Sequence, residues 1–376
     1  MTYAPFPLVE ISGRPYERGV AYGRAASERI KRSVRLYADQ MHGMGSSWDD
    51  VRGIVTDFVP NMERYAPDLI EEMRGIAAGA DCGFEEVALV NCGTEVVQIG
   101  ERRAAARAGK DGCTGVIVLP EASLDGRLIH AQNWDWKPEC VDTAIVLRIR
   151  REDGPDLLTF TEAGGLARSG FNAVGLAITA NYLESDRDFR ELGIPLPLIR
   201  RRFLESAHLA DGIRIVATTP KSISNNMMLS TAEGFGIDFE CTPDEAFALY
   251  PEDGLLVHAN HWVGAVPLTK LKETGIDSVP DSYYRDYRVR QHLKAKIGGI
   301  TPDDVKAALF DDFAAPYAVC RPPHNDGPSH SISATVAMIV MQPALGRMQV
   351  APMPALNRAF TGYELAMERS AKRASA

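Results

Sequence analysis

Lys110-Asp111-Gly112-Cys113-Thr114-Gly115-Val116-Ile117-Val118 is the stretch on which the reading of the fold turns. A charged approach gives way to glycine, then cysteine, then a β-branched apolar run, so a strand is expected at or just after Cys113. The junction reads as a bond that the protein breaks itself. With Gly112–Cys113 cut, Cys113 becomes the first residue of a new chain, its thiol the nucleophile and its free α-amine the base. An α-amine titrates at about 7.7–8.0, which suits a general base near neutral pH. An N-terminal amine is an established activator of a nucleophilic side chain. Glycine tolerates strained backbone, and strain before a thiol favours acyl transfer from nitrogen to sulfur. A lone Gly-Cys pair also fits a buried core cysteine, so the surroundings decide.

Upstream, the pattern is helical. Pro15 can open a helix running to about Met41, with Tyr16, Gly19, Val20 and Gly23 on one face for a close helix contact. Ser47 caps a second helix to about Ala66. Asp68 to Gly79 forms a third and Phe84–Asn91 a fourth. Arg102–Gly109 reads as a solvated linker, the accessible backbone a processing site needs.

Downstream, the pattern changes to strands: Thr114–Leu119, Arg127–Asn133, Ala144–Ile149, Leu157–Thr161 and two within Phe171–Tyr182. Leu124-Asp125-Gly126-Arg127 is a hairpin signal. Pro197–Glu205 and Ala207–Ala217 read as helices. Met227–Leu229, Gly236–Phe239 and Leu255–Ala259 return to strands. Ser282–Ile297 and Thr301–Phe313 are helical, and Ala334–Met341 and Arg347–Val350 close the chain. These strands exceed what one sheet holds comfortably, and helices flank them in sequence. Two packed sheets covered by helices follow.

The 376 residues are 45% hydrophobic and 24% charged, which suits a globular protein with a sizeable core. A net charge of −9 argues against nucleic acid or an anionic membrane as partner. No apolar run reaches membrane-spanning length, and the start lacks a basic n-region, so a cytoplasmic protein is expected. Six cysteines without a Cys-x-x-Cys pair argue against zinc or dithiol chemistry. No metal and no resident cofactor are expected.

Four residues are candidates for catalysis. Cys113 is the nucleophile. Asp135, in Asn133-Trp134-Asp135-Trp136, lies one hairpin away and could hold the α-amine. Asn260, in His258-Ala259-Asn260-His261, is a neutral amide donor suited to an oxyanion hole, where one donor is worth roughly 2.7–4 kcal/mol. Asn181 is a second donor of that kind. Asn133, Trp134, His261, Ser329 and His330 are candidate substrate contacts. Gly327-Pro328-Ser329-His330-Ser331 lacks the glycine of a nucleophile elbow, so Ser329 is not read as a hydrolase serine.

Together these stretches resemble the acyl-coenzyme A:6-aminopenicillanate acyltransferase family, a branch of the N-terminal-nucleophile hydrolases. The resemblance runs through the Gly13-to-Gly23 entry helix, Leu89-Val90-Asn91 with Thr94-Glu95, Asp111-Gly112-Cys113-Thr114 and Gln132-Asn133-Trp134-Asp135. It continues through Thr161-Glu162-Ala163-Gly164, Gly170-Phe171-Asn172 and Val257-His258-Ala259-Asn260-His261. It implies an α+β, four-layer αββα sandwich made as a precursor. Residues 1–112 would form a helical α chain and residues 113–376 the catalytic β chain, staying together as one interlocked domain. By position Cys113 matches the family nucleophile, Asp135 the carboxylate near the amine and Asn260 the oxyanion asparagine. Asn181-Tyr182 is similar to the oxyanion segment of choloylglycine and penicillin V amidases. Two departures stand out. Some relatives have Ser-Arg at Ser329-His330, and amidase relatives have arginine at Gln132. A cation there would hold down the amine pKa by like-charge repulsion.

The expected function is a self-processing cysteine amidohydrolase that cleaves a small N-acyl amide through a thioester on Cys113. The alternative is an acyl-coenzyme A-dependent N-acyltransferase using the same acyl-enzyme. An unprocessed binding protein and a Cys–His peptidase using His258 or His261 are weaker readings. The acyl group, the amine and any homo-oligomer are left open.

Overall fold

The computed structural model describes residues 3–104, 112–325 and 332–368. The first segment holds β1 (Leu8–Ile11) and five helices: α1 (Pro15–Gly43), α2 (Trp48–Tyr65), α3 (Pro67–Ala80), α4 (Phe84–Asn91) and α5 (Gly93–Ala104). Six strands follow: β2 (Thr114–Val118), β3 (Ile129–Trp136), β4 (Ala144–Ile149), β5 (Leu157–Glu162), β6 (Ser169–Asn172) and β7 (Leu176–Tyr182). Helices α6 (Leu196–Leu204) and α7 (Leu209–Thr218) lead to β8 (Asn225–Thr231), β9 (Gly236–Cys241), β10 (Ala246–Leu249) and β11 (Leu255–His258). Then come α8 (Ala265–Leu268), α9 (Ser282–Lys294), α10 (Pro302–Leu309), β12 (His324–Asn325), β13 (Ile332–Gln342), β14 (Arg347–Pro352) and β15 (Thr361–Glu364).

One sheet has the order β1-β4-β5-β6-β7-β8-β9-β10, and the other β11-β2-β3-β13-β14-β15 with β12 paired to β13. Side chains alternate across each sheet, and both faces are apolar. On β4, Ile145, Leu147 and Ile149 join the core beneath helices α1 to α7, while Ala144 and Val146 face the space between the sheets. On β13, Ala337, Ile339 and Met341 fill that space, while Met338 and Val340 pack with Val289, Leu293 and Val305 of α9 and α10. The result is the expected four-layer αββα sandwich. The N-terminal segment is woven into it, since β1 pairs in parallel with β4, Leu8 opposite Val146.

The glycine face of α1 does what its spacing predicts. A Cβ on Gly19 would lie 2.1 Å from the Glu72 carbonyl oxygen, and one on Gly75 2.2 Å from that of Tyr16. Only glycines let α1 and α3 approach this closely.

Three expectations are corrected. Arg102–Ala104 is helix rather than linker, because α5 packs Gly93 on Tyr37 and Gly100 on Met41 and carries its polar end along. Residues 105–111 lie outside the described residues. The tenth helix stops at Leu309 rather than Phe313, and the ninth at Lys294 rather than Ile297. The short strands β10, β12 and β15 carry too few residues to show a period in sequence. No helix among the described residues is long and apolar enough to cross a membrane.

Candidate active site

Cys113 immediately precedes β2, and its neighbours are set by strand register. Thr114 lies opposite Asn133, and His258 opposite Gly115. Alternation sends Cys113 and Gly115 into the space between the sheets and Thr114 toward α9. Cys113 is buried there with Trp134 and Phe160, and its Sγ donates to the backbone oxygen of Asp135 at 3.8 Å.

On the helix side of the same junction lies a buried network of charge. Arg285, from α9, donates through Nη1 to the carbonyl oxygens of Gly112 at 2.5 Å and Cys113 at 2.8 Å, and to Thr114 Oγ1 at 2.9 Å. Its Nη2 donates to Asn260 Oδ1 at 2.9 Å, and its Nε to Asp281 Oδ2 at 2.6 Å. Arg321 bonds the same Asp281 oxygen through Nη2, and its Nε lies 3.3 Å from Asp135 Oδ2. A Cβ on Gly112 would sit 2.5 Å from Arg321 Cζ. Two carboxylates and two guanidiniums thus alternate behind the Gly112–Cys113 bond. The two cations hold Asp281 below the ordinary carboxylate range against the opposing effect of burial.

Asp135 and Asn260 are therefore brought to this network with Gly112 and Cys113. The amide nitrogen of Asn260 donates one bond to the Tyr182 carbonyl at 2.9 Å. Asn181 stands deeper: its Nδ2 donates to the His258 carbonyl at 3.1 Å and its Oδ1 accepts from Gln132 Nε2 at 2.8 Å. It would touch a Cβ on Gly115 rather than the junction. The Gln132 amide also donates to the Ala180 carbonyl at 2.6 Å and accepts from Ser169 Oγ at 2.6 Å. It joins the sheets where amidase relatives were expected to hold a cation.

The candidate substrate contacts are dispersed. Asn133 turns to the outer face and donates to the Leu309 and Val319 carbonyls at 2.7 and 2.9 Å, so it anchors α10. Trp134 is core, edge-on to Phe160, with the Arg168 guanidinium 4.4 Å from its ring centre. His261 accepts or donates at Ser282 Oγ, 2.8 Å away, and its ring lies tilted at 55° against Tyr283. Burial, His258 and Arg285 push its pKa down to about 3, so its ring is neutral. Ser329 and His330 lie outside the described residues.

His258 is committed elsewhere. Nδ1 donates to the Ala259 carbonyl at 3.0 Å and Nε2 meets Glu240 Oε1 at 2.9 Å. Burial lowers its pKa, but Asp238 and Glu240 more than offset this and raise it to about 9. It is an imidazolium within an acidic pair, a poor proton acceptor at neutral pH.

Sequence reading missed Arg285, Arg321 and Asp281. The one local signal was the i, i+4 spacing of Asp281 and Arg285 at the start of a cation-rich helix.

A family model described as acyl-coenzyme A:6-aminopenicillanic acid acyl-transferase matches residues 123–352, which include Asp135, Asn260, Arg285 and Arg321. The 40 kDa form of acyl-coenzyme A:6-aminopenicillanic-acid-acyltransferase from Emericella nidulans is 27% identical over 319 residues, covering 83% of this chain and 84% of that protein. An uncharacterized protein from Archaeoglobus fulgidus is 24% identical over 321 residues, 74% of this chain, which spans about half (53%) of that protein's length. Among solved structures, the Caenorhabditis elegans ortholog of N-acylethanolamine-hydrolyzing acid amidase is similar at a TM-score of 0.46 and 16% identity, over 62% of this chain and 94% of that one. Penicillin V acylase from Agrobacterium tumefaciens is similar at 0.43 and 15%, over 67% and 86%. The match to more than half of its length means that this chain belongs to the acyl-coenzyme A:6-aminopenicillanic acid acyl-transferase family.

Proposed function

We propose that the chain is a self-processing amidohydrolase whose nucleophile is Cys113 once the bond to Gly112 is cut. The observation that carries this reading is the meeting of Asp135, Asn260 and the Arg285 and Arg321 guanidiniums at one Gly-Cys peptide bond. The cut leaves chains of residues 1–112 and 113–376, held together by β1 in the first sheet and the shared helical core.

In the processed enzyme the Cys113 α-amine takes the thiol proton as sulfur attacks the acyl carbon of an N-acyl amide. The tetrahedral oxyanion forms beside the Asn260 amide. The C–N bond then breaks and the departing amine takes the proton, leaving a thioester on Cys113. Water, deprotonated by the α-amine, attacks the thioester and releases the carboxylic acid and the free thiol. Asp135 holds the amine in place. Two guanidiniums close to a new ammonium disfavour its charged form, so the amine is a free base at lower pH. This is the tuning that Gln132 does not provide.

Hydrolysis is favoured over transfer because water needs no acceptor site. The Emericella nidulans relative, named an acyltransferase, supports the second reading, in which a bound amine takes the acyl group from the same thioester.

Intact mass spectrometry of freshly purified protein tests the class. Two masses splitting at Gly112–Cys113 are expected, with Cys113→Ala remaining one inactive chain. Activity from a single uncut chain overturns the reading. A screen of N-acyl amides, run with and without an added amine, separates hydrolysis from transfer by the products.

A further inference from the structure

We infer that Arg285 is the catalytic residue of the self-cleavage step, supplying the oxyanion site for the Gly112 carbonyl. The inference rests on the self-processing proposed above.

Arg285 and the Gly112 carbonyl oxygen are already in contact in the uncut chain. For the bond to break, Cys113 Sγ must add to the Gly112 carbonyl carbon, and negative charge must collect on the Gly112 oxygen. That oxygen is the one Arg285 Nη1 touches at 2.5 Å. Two hydrogens on Nη1 serve three acceptors, the Gly112 and Cys113 oxygens and Thr114 Oγ1. As charge builds on the Gly112 oxygen, the guanidinium can shift its donation there without moving. The C–N bond then breaks, Cys113 nitrogen takes the thiol proton, and Gly112 is left as a thioester on Sγ. Water hydrolyses that ester to the Gly112 carboxylate and the Cys113 thiol. No co-reactant besides water is needed.

The setting makes the guanidinium a fixed donor rather than a passing contact. Arg285 is fully buried, its Nε is tied to Asp281 and its Nη2 to Asn260. Preorganised donors of this kind cost no reorganisation when charge appears. The Asn260 amide oxygen faces Arg285, so self-cleavage and substrate turnover would use different donors at one centre. The first relies on Arg285 and the second on the Asn260 amide.

The test compares wild type with Arg285→Gln by intact mass over time after synthesis, each with and without hydroxylamine, which cleaves thioesters. Wild type should be cut at Gly112–Cys113; an uncut wild type removes the self-processing reading itself. With wild type cut, Arg285→Gln is expected to be cut at least about 100-fold more slowly. It should yield no hydroxylamine-dependent fragment, because the thioester does not form, while its melting curve shows a folded chain. Cutting of Arg285→Gln at the wild-type rate overturns the inference. So does a fragment released from it by hydroxylamine alone, since the acyl shift would then proceed without the guanidinium. If Arg285→Gln does not fold, a crystal structure of the Cys113→Ala precursor decides. Arg285 Nη1 on the Gly112 oxygen supports the inference, and its absence from that oxygen overturns it.

Discussion

The Arg321 guanidinium lies 3.3 Å, Nε to Oδ2, from the Asp135 carboxylate, with both side chains shut away from water. The same guanidinium reaches Asp281, which also binds Arg285. Among the described residues, these two carboxylates and two guanidiniums pair with one another. Asp135→Asn leaves two guanidiniums sharing one carboxylate. Breaking a buried pair costs roughly 3–5 kcal/mol, and the surviving Asp281 bond puts this case near the lower end. Urea unfolding of the Cys113→Ala precursor, with and without Asp135→Asn, measures it. Adding Arg321→Gln should recover part of the loss, since the guanidinium that faced Asp135 goes with it. Strict additivity of the two substitutions would show that the pair is not coupled.

Gly112→Ala tests the close approach on the other side of the junction. The new Cβ would start 2.5 Å from Arg321 Cζ. The guanidinium cannot swing away freely, because Asp135 and Asp281 hold it. Overpacking of this order costs about 1–3 kcal/mol. Processing should slow markedly, read as the persisting uncut mass. An alanine variant that processes like wild type would mean the junction has slack that this geometry does not allow.

The helix pair α1–α3 gives a stability prediction; the sequence showed the glycine face of α1, and the structure supplies Gly75 of α3 as part of its partner. Gly75→Ala places a Cβ 2.2 Å from the Tyr16 carbonyl oxygen, so two backbones must part. A loss of at least about 1–3 kcal/mol is expected. Gly53, exposed on α2 with nothing within 4 Å of its would-be Cβ, is the control. Gly53→Ala should gain about 0.5–1 kcal/mol from helix propensity alone. Denaturant midpoints of the two variants should move in opposite directions.

What could be read from sequence was local. Gly19 and Gly23 shared a helical face, Cys113 stood before an apolar run, and Asp135 and Asn260 each closed a strand. These features depend on spacing over a few residues, where helix and strand periods act. Arg285 was invisible for the opposite reason. Its helix, Ser282–Lys294, carries so many cations and tyrosines that it reads as a solvated face. The Gly112 carbonyl it binds lies 173 residues earlier in the chain. Arg321 has no periodic element around it at all. The stacking of α9 over the second sheet brings Arg285 to the junction, and bonding to Thr335 of β13 brings Arg321; no local pattern encodes either. Asn133 failed differently: one residue of strand register turned it away from the space shared by Cys113 and Trp134.

Alkaline pH should weaken the fold through His258. Its folded pKa, about 9, lies above its ordinary 6.5 because Asp238 and Glu240 outweigh burial. The folded state therefore holds a proton that the unfolded state releases. This stabilisation is fully present below about pH 6.5 and is lost as pH rises through about 9. Asp238, raised by burial to about 6, acts in the same direction, its contribution fading as pH climbs through that value. Unfolding free energy measured from pH 6.5 to 9.5 should fall, by at most about 1.4 kcal/mol per pH unit for a single proton. His258→Gln should be less stable at pH 6.5 and nearly flat across the window. An unchanged slope in that variant would assign the proton to another group.

Gln132→Arg restores the residue expected from amidase relatives and should harm this protein. The Gln132 side chain is buried and spends its amide on the Ala180 carbonyl, Asn181 Oδ1 and Ser169 Oγ. An arginine is longer, cannot accept the Ser169 bond, and brings a charge for which none of those three partners is a carboxylate. Loss of about 1–3 kcal/mol is expected from the unmet polar groups, before any overpacking. No catalytic gain should offset it, because Arg285 and Arg321 already place two cations on the helix side of the junction. The pH profile of Cys113 alkylation, taken on protein that mass spectrometry finds cut at Gly112–Cys113, reads out the proposed amine–thiol pair. It should be the same in Gln132→Arg as in wild type, with only the unfolding free energy reduced. A profile displaced to lower pH at undiminished stability would mean that position 132 retains control of the amine and that the two distant arginines do not.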